Sequence, residues 1–197
     1  SHSMGGNVSL RYAGTFPDMV KKIVAIEGLG PSPKRQAEMR AVPYPERLNE
    51  WIGKKRAASG RSPRKYDSIE AAFARMIEEN SYLTEEQARH LTVHGVNRNE
   101  DGTYSWKFDN YVRNFSPIGV PFDQTAELYA NITCPTLLVR GLESWASDPV
   151  ADGRTKAFNC PVEVVAFANA GHWVHHDQLD SFVERVRDFL TDDHANG

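Results

Sequence analysis

The sequence predicts an α/β fold, a mostly parallel sheet with helices on both faces, interrupted by a helical insertion. Three observations predict it. Short continuous apolar runs stand at Ile23-Val24-Ala25-Ile26, Pro135 to Gly141 and Val162 to Phe167. Helical patterns alternate with these runs along the chain. Between the first and second runs lies a long stretch rich in charge and helix formers.

The chain begins with a Gly-containing turn, and a helix is predicted from Asn7 to Phe16. The run Ile23 to Ile26 is β-branched, lacks polar alternation and is closed by Gly28, the pattern of a strand buried on both faces. The insertion is read over residues 34–119, dividing the core into residues 1–33 and 120–197. Within it, Ile69, Phe73, Met76 and Ile77 share one helical face. Ser68 caps that helix, and Thr84 followed by Glu85, Glu86 and Gln87 starts another. Asp101-Gly102 before Thr103 to Phe108 reads as a tight turn feeding a short extended segment. The insertion carries little other strand signal. Beyond it, two further buried strands are followed by an amphipathic helix from Asp180 to Leu190, whose apolar stripe is Phe182, Val183, Val186, Phe189 and Leu190.

Composition excludes several classes. With 40% hydrophobic and 25% charged residues, the 197-residue chain has the balance of a folded globular protein. The formal net charge of -3 gives no electrostatic case for nucleic acid. The basic residues Lys54, Lys55, Arg56, Arg61, Arg64 and Lys65 read as a solvated helix end and loop. No apolar run is long enough to span a membrane, and no signal peptide is visible. Cys134 and Cys160 each precede a proline at the start of an apolar run and read as small buried hydrophobes of a cytoplasmic protein.

The chemistry concentrates at Ser1-His2-Ser3-Met4-Gly5-Gly6. A serine flanked at both two-residue offsets by very small side chains suits a sharp strand-to-helix turn, with Ser1 at the position where glycine is usual. The helix that follows offers its positive end to a developing oxyanion, with the Met4 N–H as one donor. At the far end, Ala168-Asn169-Ala170-Gly171 leads out of the last strand to His172, a base that can take a serine proton at neutral pH. His172, His175 and His176, and the pair His90 and His94, lack convincing further ligands, so no metal and no cofactor are expected.

These segments resemble the α/β-hydrolase superfamily. The match runs through His2 to Asn7, Tyr12 to Pro17, Ile23 to Glu27, Pro135 to Gly141 and Gly171 to His175, with nucleophile first and histidine last. The resemblance implies an α/β-hydrolase fold in which the helical insertion is the family's cap over the active site. It also implies a serine esterase acting on a small ester or acyl substrate, with Ser3, His172 and an acid as its triad. The family usually places that acid three residues past the glycine ending the second apolar run, where this chain has Ser144. Glu143 and Asp148 lie nearby. A branch of the family's esterases instead places it at the end of the strand after the nucleophile helix, with Gly-x-x-Ser after the later strand, similar to Glu27 with Gly141-Leu142-Glu143-Ser144. A carboxylate held at a strand end against His172 favours Glu27, with Asp148 the alternative. Trp145 is the candidate for lining the substrate pocket, ahead of Trp173 and Trp106.

The same resemblance implies strands and a second oxyanion donor upstream of the turn, in roughly a hundred residues of the same protein. The chain is therefore expected to need that segment as a partner, and alone to be inactive and poorly stable. A non-catalytic binding protein on the same fold is the competing reading, and hydrolysis of a thioester, an amide or a carbon–carbon bond stays open.

Overall fold

The computed structural model describes residues 1–59, 63–109, 116–117 and 119–192. Of the basic cluster, Arg61 lies outside the described residues. The chain falls into two compact units, Ser1–Ala41 with Val120–Gly197, and Val42–Gly119.

In the first unit, helix α1 (Met4–Thr15) begins three residues earlier than the apolar pattern indicates, directly after Ser3. It leads to strand β1 (Ile23–Ile26) and, past a loop, to α2 (Pro33–Ala41). The second unit holds α3 (Tyr44–Ser59), the two-residue strand β2 (Lys65–Tyr66), α4 (Ile69–Glu79), α5 (Glu85–Gly95), β3 (Val96–Arg98) and β4 (Tyr104–Trp106). Both caps read from the sequence form. The Ser68 hydroxyl accepts from the Ala71 N–H, and Thr84 and Gln87 close a reciprocal capping box. Contrary to the sparse strand signal, β2, β4 and β3 pair in that order as an antiparallel sheet. Tyr66, Ala72 and Val96 form its small core.

The chain then returns to the first unit through α6 (Phe122–Ala130), β5 (Thr136–Gly141), β6 (Val162–Phe167), α7 (Val174–Asp177) and α8 (Leu179–Thr191). The three longer apolar runs pair in parallel, in the order β1-β5-β6. Side chains alternate across this sheet. On one face Ile23, Ala25 and Leu138 pack with Leu10 and Ala13 of α1 and Tyr129 of α6. On the other, Ile26, Leu137 and Val139 pack with Val174 of α7 and with Phe182, Val186 and Phe189 of α8. The sheet is thus covered on both sides, the condition under which parallel strands can be continuously apolar.

Residues Ser1 to Ser3 extend this order past β1. His2 forms a parallel bridge to Ile26, the Ile26 N–H donates to the Ser1 carbonyl at 2.9 Å, and the Ser3 N–H donates to the Ile26 carbonyl at 2.8 Å. One correction to the sequence reading concerns the glycines. A Cβ on Gly5 would meet nothing closer than the Ser1 Cβ at 4.0 Å, whereas one on Gly6 would strike the Gly28 Cα at 2.7 Å. The close approach that demands glycine is therefore Gly6 against Gly28, where α1 crosses the end of β1.

Among the described residues, no helix is long and apolar enough to cross a membrane.

Candidate active site

The carboxyl ends of neighbouring parallel strands are where loops of an open α/β sheet converge. Four loops meet at that edge here. Ser3 follows the extended stretch beside β1, Glu27 follows β1, Gly141 to Ser144 follow β5, and His172 lies in the loop after β6.

The backbone is strained at this point. Ser3 has φ 52° and ψ -120°, and Glu27 and Asn169 have φ values of 51° and 53°. Among the described residues these three are the non-glycine positions with positive φ, and all belong to the converging loops. Such strain persists only where the surroundings enforce it, and it clusters at functional sites. At Ser3 the enforcement comes from the bond to Ile26 below and from helix α1, which starts at the next residue.

Ser3, His172 and Glu27 are brought together. Ser3 Oγ lies 2.9 Å from His172 Nε2, and His172 Nδ1 lies 3.4 Å from Glu27 Oε2. An ionised carboxylate only accepts, so Nδ1 carries the proton and Nε2 offers its lone pair to the serine hydroxyl. The Glu27 side chain is completely buried. Its other bonds come from the Gly141 N–H to Oε1 at 2.8 Å and the Ser144 hydroxyl to Oε2 at 2.7 Å. Burial alone would raise this carboxyl, but the bonds from His172, Ser144 and Gly141 outweigh it and hold the group below its ordinary value. A buried carboxylate with three donors is a stable anion; with none it would be costly.

The other carboxylates are occupied elsewhere. Asp148 pairs with Arg140 at 3.2 Å and accepts from the N–H groups of Val150 and Ala151. Glu143 turns away from the imidazole and grips the histidine loop, accepting from the N–H of Asn169 at 3.0 Å and of Ala170 at 2.7 Å. Asp177 takes the next N–H in the loop, that of Gly171, at 2.8 Å. Gly141 lets β5 end against this loop, since a Cβ there would overlap the carbonyl oxygens of Gly171 and Ala170. Sequence reasoning missed this gripping role of Glu143, because no local pattern marks a contact that spans 26 residues.

Met4 heads α1, where the first N–H groups of a helix have no intrahelical acceptor. Trp145 is 81% exposed, and its ring lies 4.9 Å from that of His172, tilted by 32°. Trp173 packs against the rings of His2 and His176. Trp106 lies in the other unit, its indole N–H donating to the Tyr66 hydroxyl at 3.3 Å. His175 and His176 occupy α7, and among the described residues no group of three or more His, Cys, Asp or Glu side chains is placed to hold a metal ion.

His175 has a consequence for stability. Burial, and after it the neighbouring His176 and His2, push its imidazole down to about 4 from an ordinary 6.5. The unfolded chain therefore binds more protons than the folded one between those values, and stability falls as pH drops through that window. Replacing His175 with phenylalanine is expected to flatten the decline in melting temperature from pH 6.5 to 4, as followed by circular dichroism. An unchanged acid limb would contradict this.

A sequence model of the alpha/beta hydrolase fold matches residues 1–179. The mouse sn-1-specific diacylglycerol lipase ABHD11 is 26% identical over 200 residues, covering 96% of this chain and 57% of its own length. The chain thus spans little more than half of that curated relative. Among solved structures, the hypothetical protein PA1622 from Pseudomonas aeruginosa aligns with TM-score 0.76 at 24% identity, over 96% of this chain and 65% of its own. The Mycobacterium tuberculosis esterase Rv0045c aligns with TM-score 0.74 at 22% identity, over 97% and 61%. At such identities the structural likeness speaks for the fold alone. The family match over most of the chain, on a parallel sheet layered between helices, makes this polypeptide a member of the α/β-hydrolase fold family.

Proposed function

We propose that this chain carries the reactive centre of a serine hydrolase that cleaves a carboxylic ester through an acyl-enzyme. The observation that carries the reading is the alignment of a serine hydroxyl on a strained turn, an imidazole 2.9 Å away and a buried carboxylate behind it.

In this reading the Ser3 oxygen attacks the acyl carbon as its proton passes to His172 Nε2. The negative oxygen of the tetrahedral intermediate takes the Met4 N–H as one donor. The imidazolium, steadied by Glu27, gives its proton to the departing alcohol. Water then follows the same route: His172 takes its proton as its oxygen bonds to the acyl carbon, the bond from that carbon to Ser3 Oγ breaks as His172 returns the proton to Ser3, and the acid leaves. Trp145 offers an apolar surface beside the imidazole, where an acyl or alcohol group can rest.

An ester is favoured because a curated relative is a diacylglycerol lipase. The second oxyanion donor is assigned to polypeptide corresponding to the part of the relatives that this chain does not match. The exposed apolar residues Met4, Val8 and Tyr12 of α1, with Phe16 just past its end, support such a covering segment. The free thiols Cys134 and Cys160 support a reducing, cytoplasmic setting.

Turnover of p-nitrophenyl acetate and of a matched acetyl thioester by the full-length protein tests the reading. Ester cleavage at least as fast as thioester cleavage is expected. A folded protein that cleaves neither supports the competing role of a non-catalytic binding protein.

A further inference from the structure

Residue 2 stands beside the nucleophile in sequence and beside the base in space. His2 Nε2 lies 2.8 Å from the carbonyl oxygen of His172. A carbonyl only accepts, so that nitrogen carries a proton and donates. The His2 ring also packs against the rings of His172 at 4.7 Å and His175 at 4.8 Å. Its own backbone is fixed by the bridge to Ile26, whose neighbour Glu27 faces the far nitrogen of the same imidazole. His172 is therefore tied at three points to two adjacent dipeptides: Nε2 to Ser3, Nδ1 to Glu27 and its carbonyl to His2.

Other ties of this loop act on the residues before His172. Glu143 holds Asn169 and Ala170, Asp177 holds Gly171, and the Gln178 amide donates to the Asn169 carbonyl at 3.0 Å. Together with the Trp173 carbonyl, which accepts from the N–H groups of His176 at 2.7 Å and Asp177 at 3.0 Å, they fix where the loop runs on either side of His172. The bond from His2 acts on the peptide between His172 and Trp173, and rotating it would swing the imidazole away from the serine.

We propose that His2 is a positioning residue for His172, its side-chain N–H locking the peptide that sets the direction of the imidazole; this rests on the serine-hydrolase reading above. His2 touches neither substrate nor reacting atom. Its effect passes through the geometry of the Ser3–His172 pair, where small displacements change rate far more than binding.

The test compares His2→Leu, which keeps bulk and removes the donor, with His2→Gln, whose terminal amide can place an N–H near the same carbonyl. Both are made in the full-length protein and assayed on p-nitrophenyl acetate, with melting temperatures recorded. For His2→Leu, kcat is expected to fall by roughly 10- to 100-fold with KM within about twofold. For His2→Gln, kcat is expected within about threefold of the parent. A folded His2→Leu with the parent's kcat overturns the proposal, as does His2→Gln impaired as deeply as a folded His2→Leu. Should His2→Leu not fold, His2→Gln decides alone: parent-like kcat supports the donor role, and a tenfold loss removes it. An inert parent protein sinks the serine-hydrolase reading itself and the proposal with it, whereas an active parent with indifferent variants sinks the proposal alone.

Discussion

Replacing Ser3 or His172 with alanine is expected to reduce ester turnover by the full-length protein by roughly five orders of magnitude, with the fold intact. The two act as one unit, because the serine oxygen becomes a strong nucleophile only as its proton moves across the 2.9 Å to Nε2. Their losses therefore should not add. The double variant is expected to be about as slow as either single one, the residual rate coming from substrate binding and the oxyanion donor. Steady-state assays of the three variants check this. If the double variant is slower than each single one by the product of their effects, the two groups work independently and the shared centre is wrong.

The second large effect concerns the acid. Glu27→Gln keeps the shape of the side chain and removes its charge, so the imidazole loses the partner that fixes its tautomer and stabilises its positive form. A loss of roughly 10⁴-fold in kcat is expected. Asp148→Asn should stay near the parent rate, since that carboxylate pairs with Arg140 and caps a turn away from His172. The opposite ranking would transfer the acid's role to Asp148. Glu27 also bears on stability. Its folded value lies below its ordinary one, so its stabilising contribution is full above the unfolded carboxyl's titration. That contribution fades as pH falls through the lower, folded value.

Much of this was legible in the chain. Continuous apolar runs mark strands buried on both sides, and that pattern located β1, β5 and β6, which pair in parallel. The helix starts at Ser68 and Thr84 carry their own chemistry and appear as capping bonds. Strands β2 and β3 were not legible. Lys65-Tyr66 and Val96-Asn97-Arg98 are too short for an alternating pattern, and they exist by pairing with β4. Helix α3 buries none of its residues completely, so the sequence offers no apolar face to single it out.

At the site, the three side chains that the structure brings together carry local signatures: a serine between small neighbours, a histidine after Gly171, a carboxylate ending an apolar strand. The supporting contacts were not. Ser144 stands where the family usually has its acid, and its place in Gly141-Leu142-Glu143-Ser144 points to Glu27 only through the resemblance, not through any pattern that shows the contact. In three dimensions its hydroxyl donates to Glu27, the proposed acid, just past the end of another strand. His2 and Glu143 act across 170 and 26 residues, and no periodicity reaches that far. Gly6 matters for the same reason, through its contact with Gly28.

The most direct measurement is covalent labelling of the full-length protein with a fluorophosphonate, followed by mass spectrometry of the digested adduct. A single phosphonylated position, Ser3, is expected, with loss of labelling when His172 is replaced by alanine. A folded protein that takes no label, or takes it at a different serine, would contradict the claim that Ser3 and His172 form one reactive centre.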